Sequence, residues 1–278
     1  MAKKTKKNKR IEQQHRDNLL KKKGNELLQK SAKSAYIKGI KMNNDILEGK
    51  IDIPSLNNVE LFKYQIQKLD QYFAELHQEA HTYPTCKKGC SHCCSYPIWV
   101  SEFEIEAIKT WIKENIEDEM KEIIKNNLKE WEEKIIETAK HLQIAHKAVC
   151  FWVNNNQQGE RLKKNEANRS ALKDEYSKKQ VNCPFLIDNS CSIYAVRPVT
   201  CRTYFAYGNP ERCKKELYPI GTLNFSCANR NIFLTPLFNM IKVLSEGDEK
   251  ICEQKYQQII VNDRLLPLWF SEDEEFFK

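Results

Sequence analysis

The chain has 278 residues, of which 41% are hydrophobic and 30% are charged, and its formal net charge is +7. This length allows one large domain or two small ones, each with a buried core and a charged surface. No segment reaches the roughly 18 consecutive apolar residues of a membrane span, and the N-terminal stretch lacks the apolar core of a secretory signal. We therefore predict a cytoplasmic protein without a membrane partner, in which the cysteines stay reduced.

The positive charge is concentrated at the start of the chain. Residues 1–41 carry 14 Lys and Arg against 3 Asp and Glu, so that the remainder of the chain is mildly acidic. We predict that residues 1–50 form a basic arm that is disordered or loosely helical. Such an arm can neutralise nucleic-acid phosphates, but its lysines are not interleaved with aromatic residues and it contains no groove-reading motif. A solvated arm is the preferred interpretation, with nucleic-acid binding as the alternative, and the sequence identifies no protein partner.

A cysteine-rich segment follows the first strongly amphipathic helix, which is predicted over residues 59–80. In this segment Cys86, Cys90, Cys93 and Cys94 form the pattern C-x3-C-x2-C-C. One cysteine is enough to fill a core position, so four thiols within nine residues indicate metal or redox chemistry. Between them, Gly89 is expected to take a positive φ, which allows the thiols to converge.

Polar helices are predicted to separate this segment from a second group of cysteines. Ser101 and Glu104 form the capping-box pattern of a helix that begins near residue 102. Residues 117–150 predict one or two long helices, within a polar insertion that extends to about residue 180. His146 and Cys150, near the end of these helices, are interpreted as isolated residues and not as ligands.

The second group of cysteines consists of Cys183, Cys191 and Cys201. The dipeptide Asp188-Asn189 favours a turn that brings Cys183 back beside Cys191, as in a small hairpin or loop. Pro198 is predicted to begin a short helix that contains Cys201.

The rest of the chain predicts two more helices, the first of them kinked or interrupted at Pro236, and then an acidic tail over residues 266–278. Patterns typical of strands are sparse along the whole sequence. The predicted fold is therefore mainly α, a helical domain over residues 51–265 with a Cys-rich metal-binding loop region and little sheet.

Thiolates from two chain segments suit several metal centres. Structural zinc takes four nitrogen or sulfur donors at tetrahedral positions, often from paired cysteines. Thiolates suit iron–sulfur clusters and Cu(I) equally well. One zinc, one four-iron–four-sulfur cluster and two metals sharing a ligand all remain open, and His77, His81 and His92 are alternatives to individual thiols.

The combined motifs resemble a known family. C-x3-C-x2-C-C at 86–94, CPFL at 183–186 and CSIYAVRPVTCR at 191–202 are similar to the YkgJ-type cysteine-cluster family, a zinc- or iron-chelating domain named for its CxxCxxCC signature. The similarity extends over about residues 80–230. The resemblance implies that eight cysteines chelate metal: Cys86, Cys90, Cys93, Cys94, Cys183, Cys191, Cys201 and Cys227. Cys213 is the alternative to Cys227 as the eighth ligand.

A more distant resemblance connects this motif with the flagellin lysine N-methylases, which are associated with an iron–sulfur cluster and S-adenosylmethionine. No glycine-rich loop follows a predicted strand in this sequence, so the residues themselves do not indicate a methyl-donor site. We predict a metal-binding protein that holds zinc or iron, without assigned catalytic residues. The alternative is an iron–sulfur enzyme related to protein lysine N-methylases that uses S-adenosylmethionine.

Overall fold

The structure is a computed structural model that describes residues 6–87, 89–155, 158–273 and 275–277. The first five residues of the predicted basic arm, and residues 274 and 278 of the predicted acidic tail, lie outside the described part. The chain divides into two compact units. The first unit comprises residues 1–88 and 201–253, and the second comprises residues 89–200 and 254–278.

The fold is mainly α with little sheet, which confirms the predicted class. None of the described helices is both long and apolar enough to cross a bilayer. The helices are α1 Lys6–Leu47, α2 Asn58–Glu79, α3 Glu102–Asn115, α4 Asp118–Asn154, α5 Glu160–Lys178, α6 Val199–Arg202, α7 Pro210–Cys213, α8 Ser226–Ala228, α9 Thr235–Leu244, α10 Glu249–Tyr256 and α11 Leu268–Ser271. The strands are β1 Trp99–Ser101, β2 Leu186–Ile187, β3 Ser190–Cys191, β4 Tyr204–Ala206, β5 Thr222–Asn224 and β6 Asp263–Leu265, which pair antiparallel as β1–β6, β2–β3 and β4–β5.

In the first unit, the segment with the basic surplus is the helix α1, which packs against the unit's core. The Tyr72 hydroxyl on α2 lies 2.9 Å from Ser31 Oγ and 3.0 Å from Ser34 Oγ, both on α1. Gly39 lets the backbone of α1 lie close to the backbone at Asn231, because a Cβ added at residue 39 would lie 2.5 Å from the carbonyl oxygen of Asn231. The apolar side chains that α1 buries are Leu27, Ala35 and Ile46.

The chain before α9 changes its helical form. Residues Asn229–Leu234 form a π-helical turn, and Pro236 lies in the first turn of α9. Proline has no backbone N–H to donate, so a regular α-helix cannot run through this position without losing a bond. The sequence predicts a kink or an interruption at Pro236, and the structure instead has a change from a π-helical turn to α9 at Thr235, with helical dihedral angles on both sides.

In the second unit, α3 begins with the predicted capping box. Glu104 N donates to Ser101 Oγ at 3.2 Å, and Ser101 N donates to Glu104 Oε2 at 3.2 Å. The polar insertion consists of α4 and α5, which pack together through a bond of 3.2 Å from Trp131 Nε1 to the Tyr176 hydroxyl. Residues 117–150 therefore contribute to one long helix, α4.

The predicted acidic tail includes the short helix α11 and an aromatic group. The rings of Phe270 and Phe276 lie 5.1 Å apart, and Lys109 on α3 bonds Asp273 at 2.6 Å. This segment of the second unit is therefore tied to α3.

Candidate metal centre

The first cysteine segment of the second unit runs through tight turns. Gly89 takes φ +90°, as predicted, immediately before Cys90. Cys94 N donates to Ser91 O at 2.9 Å, and Tyr96 N donates to Cys93 O at 3.0 Å. These short-range hydrogen bonds fix the backbone conformation at the adjacent Cys93 and Cys94, which the sequence alone did not determine.

The second cysteine segment forms the predicted hairpin. Asp188 and Asn189 take φ of +48° and +58°, the left-handed conformation that these two residue types tolerate at turns. The strands that they connect place Leu186 opposite Cys191, and Leu186 N donates to Cys183 O at 2.9 Å. Cys183 and Cys191 therefore lie on neighbouring parts of one small hairpin.

Backbone and side-chain bonds join the two segments within the second unit. Cys183 N donates to Cys94 O at 2.8 Å, and Ser91 Oγ donates to Asn189 Oδ1 at 3.3 Å. The thiols of Cys93 and Cys94 are reduced and share a hydrogen bond, and Cys183 is close enough to Cys191 and Cys93 for their charges to act on it. We call Cys93, Cys94, Cys183 and Cys191 the thiol cluster.

The thiols of this cluster differ in acidity. The bond from Cys94, opposed by burial and assisted by the charge of Arg197, lowers the pKa of Cys93 to about 7. Burial, followed by the charges of Cys191 and Cys93, raises the pKa of Cys183 to about 12. Metal ligation needs thiolates, so a bound cation would have to displace the Cys183 proton, whereas Cys93 loses its proton near neutral pH.

Arg197 and Glu104 support the segment around the thiol cluster without being metal donors. The Arg197 guanidinium lies 4.5 Å from the centre of the Tyr194 ring, and its charge favours the Cys93 thiolate. The buried Glu104 accepts a bond of 2.9 Å at Oε1 from Val199 N. Glu104 therefore serves both as the cap of α3 and as the anchor of the chain that follows Arg197.

The remaining predicted ligands are distributed between the units. Cys90 lies in the second unit. In the first unit, Cys86 Sγ accepts a bond of 3.1 Å from Ala206 N on β4. Cys201 lies in α6 and Cys227 is exposed in α8, while the alternative Cys213 ends α7. As metal ligands these residues remain predictions from the sequence.

The other candidates near the cysteines have partners in the first unit. His77 Nε2 lies 2.8 Å from the Tyr207 hydroxyl, and burial lowers the pKa of His77. Burial, and then the charge of Cys86, raises the pKa of Tyr207. Arg202, beside Cys201, forms an ion pair with Asp70.

A group in the second unit was missed by the sequence analysis. His146 Nε2 lies 2.7 Å from Asp263 Oδ2 and 3.5 Å from Cys150 Sγ. Their ligand atoms all lie within 4.8 Å of one another, and we call these three residues the mixed cluster. The spacing of four between His146 and Cys150 was the available signal, but no local pattern pointed to Asp263, which is 117 residues beyond His146.

Comparison with known protein families gives a match to the segment that contains both cysteine groups. A model of the CxxCxxCC family, described as a putative zinc- or iron-chelating domain, matches residues 85–228. This range covers both cysteine groups and the helical insertion between them. No curated protein and no solved structure gives a significant match.

Proposed function

Because the chain belongs to the CxxCxxCC family of zinc- or iron-chelating domains, we propose that its thiol cluster is the centre of a zinc or iron site. The observation that carries this proposal is the bond from Cys183 N to Cys94 O, which joins two cysteine segments about ninety residues apart. Cys90 is proposed as a further ligand from the same unit. Cys86, Cys201 and Cys227 complete the proposed set on the sequence and the family pattern.

The chemistry of the donors supports this assignment. Four thiolates satisfy the tetrahedral preference of a structural zinc, and the same donors hold an iron–sulfur cluster. Four thiolates around a divalent cation leave a net negative charge, which the nearby Arg197 guanidinium offsets. The additional predicted cysteines would allow a second metal or a larger cluster.

The proposed metal has a structural role. It would connect the segment at Cys93 and Cys94 to the hairpin at Cys183 and Cys191, in addition to the two hydrogen bonds between them. Binding free energy of this kind is folding free energy, and for structural zinc it is on the order of 10 kcal/mol. The same site could pass its metal to another protein only after these segments separate.

The test is metal analysis of the full-length protein purified without oxygen. Wild-type protein is expected to contain zinc or iron, and Cys183→Ser is expected to lose at least one equivalent. The matched control is Cys252→Ser, because Cys252 lies outside the family segment and its Sγ is 3.4 Å from Ser245 Oγ. Cys191→Ser provides a second variant on the same hairpin.

The absorption spectrum identifies the metal class. A colourless protein that contains zinc supports a zinc site. A brown protein that contains iron and sulfide supports the alternative, an iron–sulfur enzyme. In that case, a measurement of S-adenosylmethionine binding tests the enzyme hypothesis. Wild-type protein without bound zinc or iron, or equal metal content in Cys183→Ser, Cys191→Ser and wild type, would contradict the proposal.

A further inference from the structure

The mixed cluster gathers three different donors at one point of the second unit. His146 Nε2 is 2.7 Å from Asp263 Oδ2 and 3.5 Å from Cys150 Sγ. None of these residues belongs to the family signature, and none belongs to the thiol cluster. An imidazole nitrogen, a thiol and a carboxylate are the three kinds of ligand that proteins offer to zinc.

Hydrogen bonds and helix geometry of the protein itself hold these donors together. His146 and Cys150 are four residues apart on α4, so they share one face of the helix. Gln143, on the preceding turn, donates from Nε2 to Asp263 O at 2.9 Å and accepts from Leu265 N at 2.8 Å. Both ends of β6 are thereby fixed against the helix face that carries the two other donors.

Trp99 on β1 fixes the plane of the imidazole. Its ring lies 4.4 Å from that of His146 in a stacked arrangement, and His146 is only 9% exposed. Trp99 Nε1 is buried without a hydrogen-bond partner among the described residues. A buried donor without an acceptor is unfavourable and calls for an explanation.

A histidine–aspartate hydrogen bond explains only part of this arrangement. That bond needs His146 Nε2 and one carboxylate oxygen, yet the Cys150 thiol approaches the same nitrogen. A single N–H cannot point well at two acceptors, whereas one cation can accept electron pairs from three donors. In tetrahedral zinc, a nitrogen at about 2.1 Å and a sulfur at about 2.3 Å from the ion are about 3.6 Å apart.

Two of the three donor separations suit such a centre after a small adjustment, and the third, between Cys150 Sγ and Asp263, is within 4.8 Å. The separation of 3.5 Å between Nε2 and Sγ already has the tetrahedral value. The separation of 2.7 Å between Nε2 and Oδ2 has to widen to about 3.3 Å, which a carboxylate rotation provides. A neutral imidazole, a thiolate and a carboxylate together balance the charge of a divalent cation, as burial requires.

We propose that His146, Cys150 and Asp263 form a second metal site, distinct from the thiol cluster, which takes a divalent cation of the zinc class. Three protein ligands leave the fourth position open to water or to an anionic ligand, the arrangement that catalytic zinc sites share. The buried Trp99 Nε1, on the ring that stacks against His146, is assigned as a donor to an oxygen ligand of the bound cation. When Nε2 binds the metal, the imidazole proton is on Nδ1. Arg169 Nη1, which lies 3.5 Å from Nδ1, then has no acceptor there and must move away.

The test measures zinc in the full-length protein after dialysis at fixed free zinc. Cys150→Ser and Asp263→Asn are each expected to lose one equivalent relative to wild type, or to bind it at least tenfold more weakly. Asp263→Asn preserves the size of the side chain and one oxygen acceptor, so this variant is expected to keep its fold. Circular dichroism verifies that the fold is kept, so that a loss of metal is assigned to the site. Cys252→Ser is the matched control and retains the wild-type stoichiometry.

This outcome is independent of the thiol cluster. Cys183→Ser is expected to keep the equivalent of zinc that Cys150→Ser loses. The Cys183 variant therefore tests the thiol cluster, and the Cys150 variant tests the mixed cluster. Cobalt(II) gives a second readout, because its sulfur charge-transfer band at the second site depends on one thiolate. Unchanged zinc stoichiometry and affinity in both Cys150→Ser and Asp263→Asn would overturn the second site.

Discussion

The thiol cluster and the mixed cluster lie in the same unit but are supported in different ways. The thiol cluster lies on turns and a two-residue-strand hairpin, whose segments are joined by the bonds Cys183 N to Cys94 O and Ser91 to Asn189. The mixed cluster is built on a 37-residue helix and a strand that is paired on one side and bonded to Gln143 on the other. A metal in the first cluster therefore helps to form the structure, whereas a metal in the second occupies a structure already formed.

The largest expected effect is the loss of stability when metal is removed from the thiol cluster. Chelation of the wild-type protein should lower the midpoint of thermal unfolding by roughly 10 °C or more, because several kcal/mol of metal binding contribute to folding. Cys183→Ser should show a similar decrease before any chelator is added. Circular dichroism at 222 nm during heating, with metal content measured in parallel, gives the comparison.

The matched experiment on the mixed cluster should give a much smaller change. Cys150→Ser should lower the unfolding midpoint by only about 3 °C or less, since α4 and β6 keep their own bonds. Equal decreases in Cys150→Ser and Cys183→Ser would remove the distinction between the two clusters. An unchanged midpoint after verified metal loss would reject the structural role of the thiol cluster.

Local signals in the sequence predicted the features that depend on neighbouring residues. The capping box of Ser101 and Glu104, the positive φ of Gly89 and the turn at Asp188-Asn189 are each determined within a few residues. Turn and cap preferences arise from short-range sterics and hydrogen bonds, so they are visible in a single sequence. These three features shape the separate segments near the thiol cluster, whereas the bond from Cys183 N to Cys94 O joins segments that are distant in sequence.

Features that depend on distant partners could not be predicted in this way. Cys150 and His146 resembled isolated residues because Asp263, which completes their group, is 117 residues beyond His146. Val199 and Glu104 are 95 residues apart, and neither carries a sign of the bond between them. In α1 the few buried apolar residues lie among many lysines, so the pattern suggested a solvated arm where the structure has a packed helix.

A third prediction concerns Gln143, which connects α4 to β6. Gln143→Ala removes two bonds and leaves Asp263 O and Leu265 N without their partner, so the free energy of unfolding should fall by about 2 kcal/mol. The zinc affinity of the mixed cluster should fall as well, because Asp263 loses its support. Urea denaturation of metal-replete protein and zinc competition measure the two effects.

Lys140→Ala is the control for this change, since Lys140 is exposed on the same helix and its replacement should alter stability by less than about 0.5 kcal/mol. If Gln143→Ala were as stable as Lys140→Ala, the attachment of β6 to α4 would not determine the position of Asp263.

The smallest expected effect concerns the turn of the hairpin that carries Cys183 and Cys191. Asp188 has φ +48°, so Asp188→Val forces a β-branched residue into the left-handed region and should cost about 1 kcal/mol. Asp188→Gly relieves this restriction and should stay within about 0.5 kcal/mol of wild type. Because the hairpin is short, the valine variant should also release zinc from the thiol cluster faster, while the mixed cluster keeps its metal. Equal rates of zinc release from both clusters would mean that the hairpin does not hold the thiols independently of α4. The thiol cluster would then not differ from the mixed cluster in how far its metal helps to form the structure.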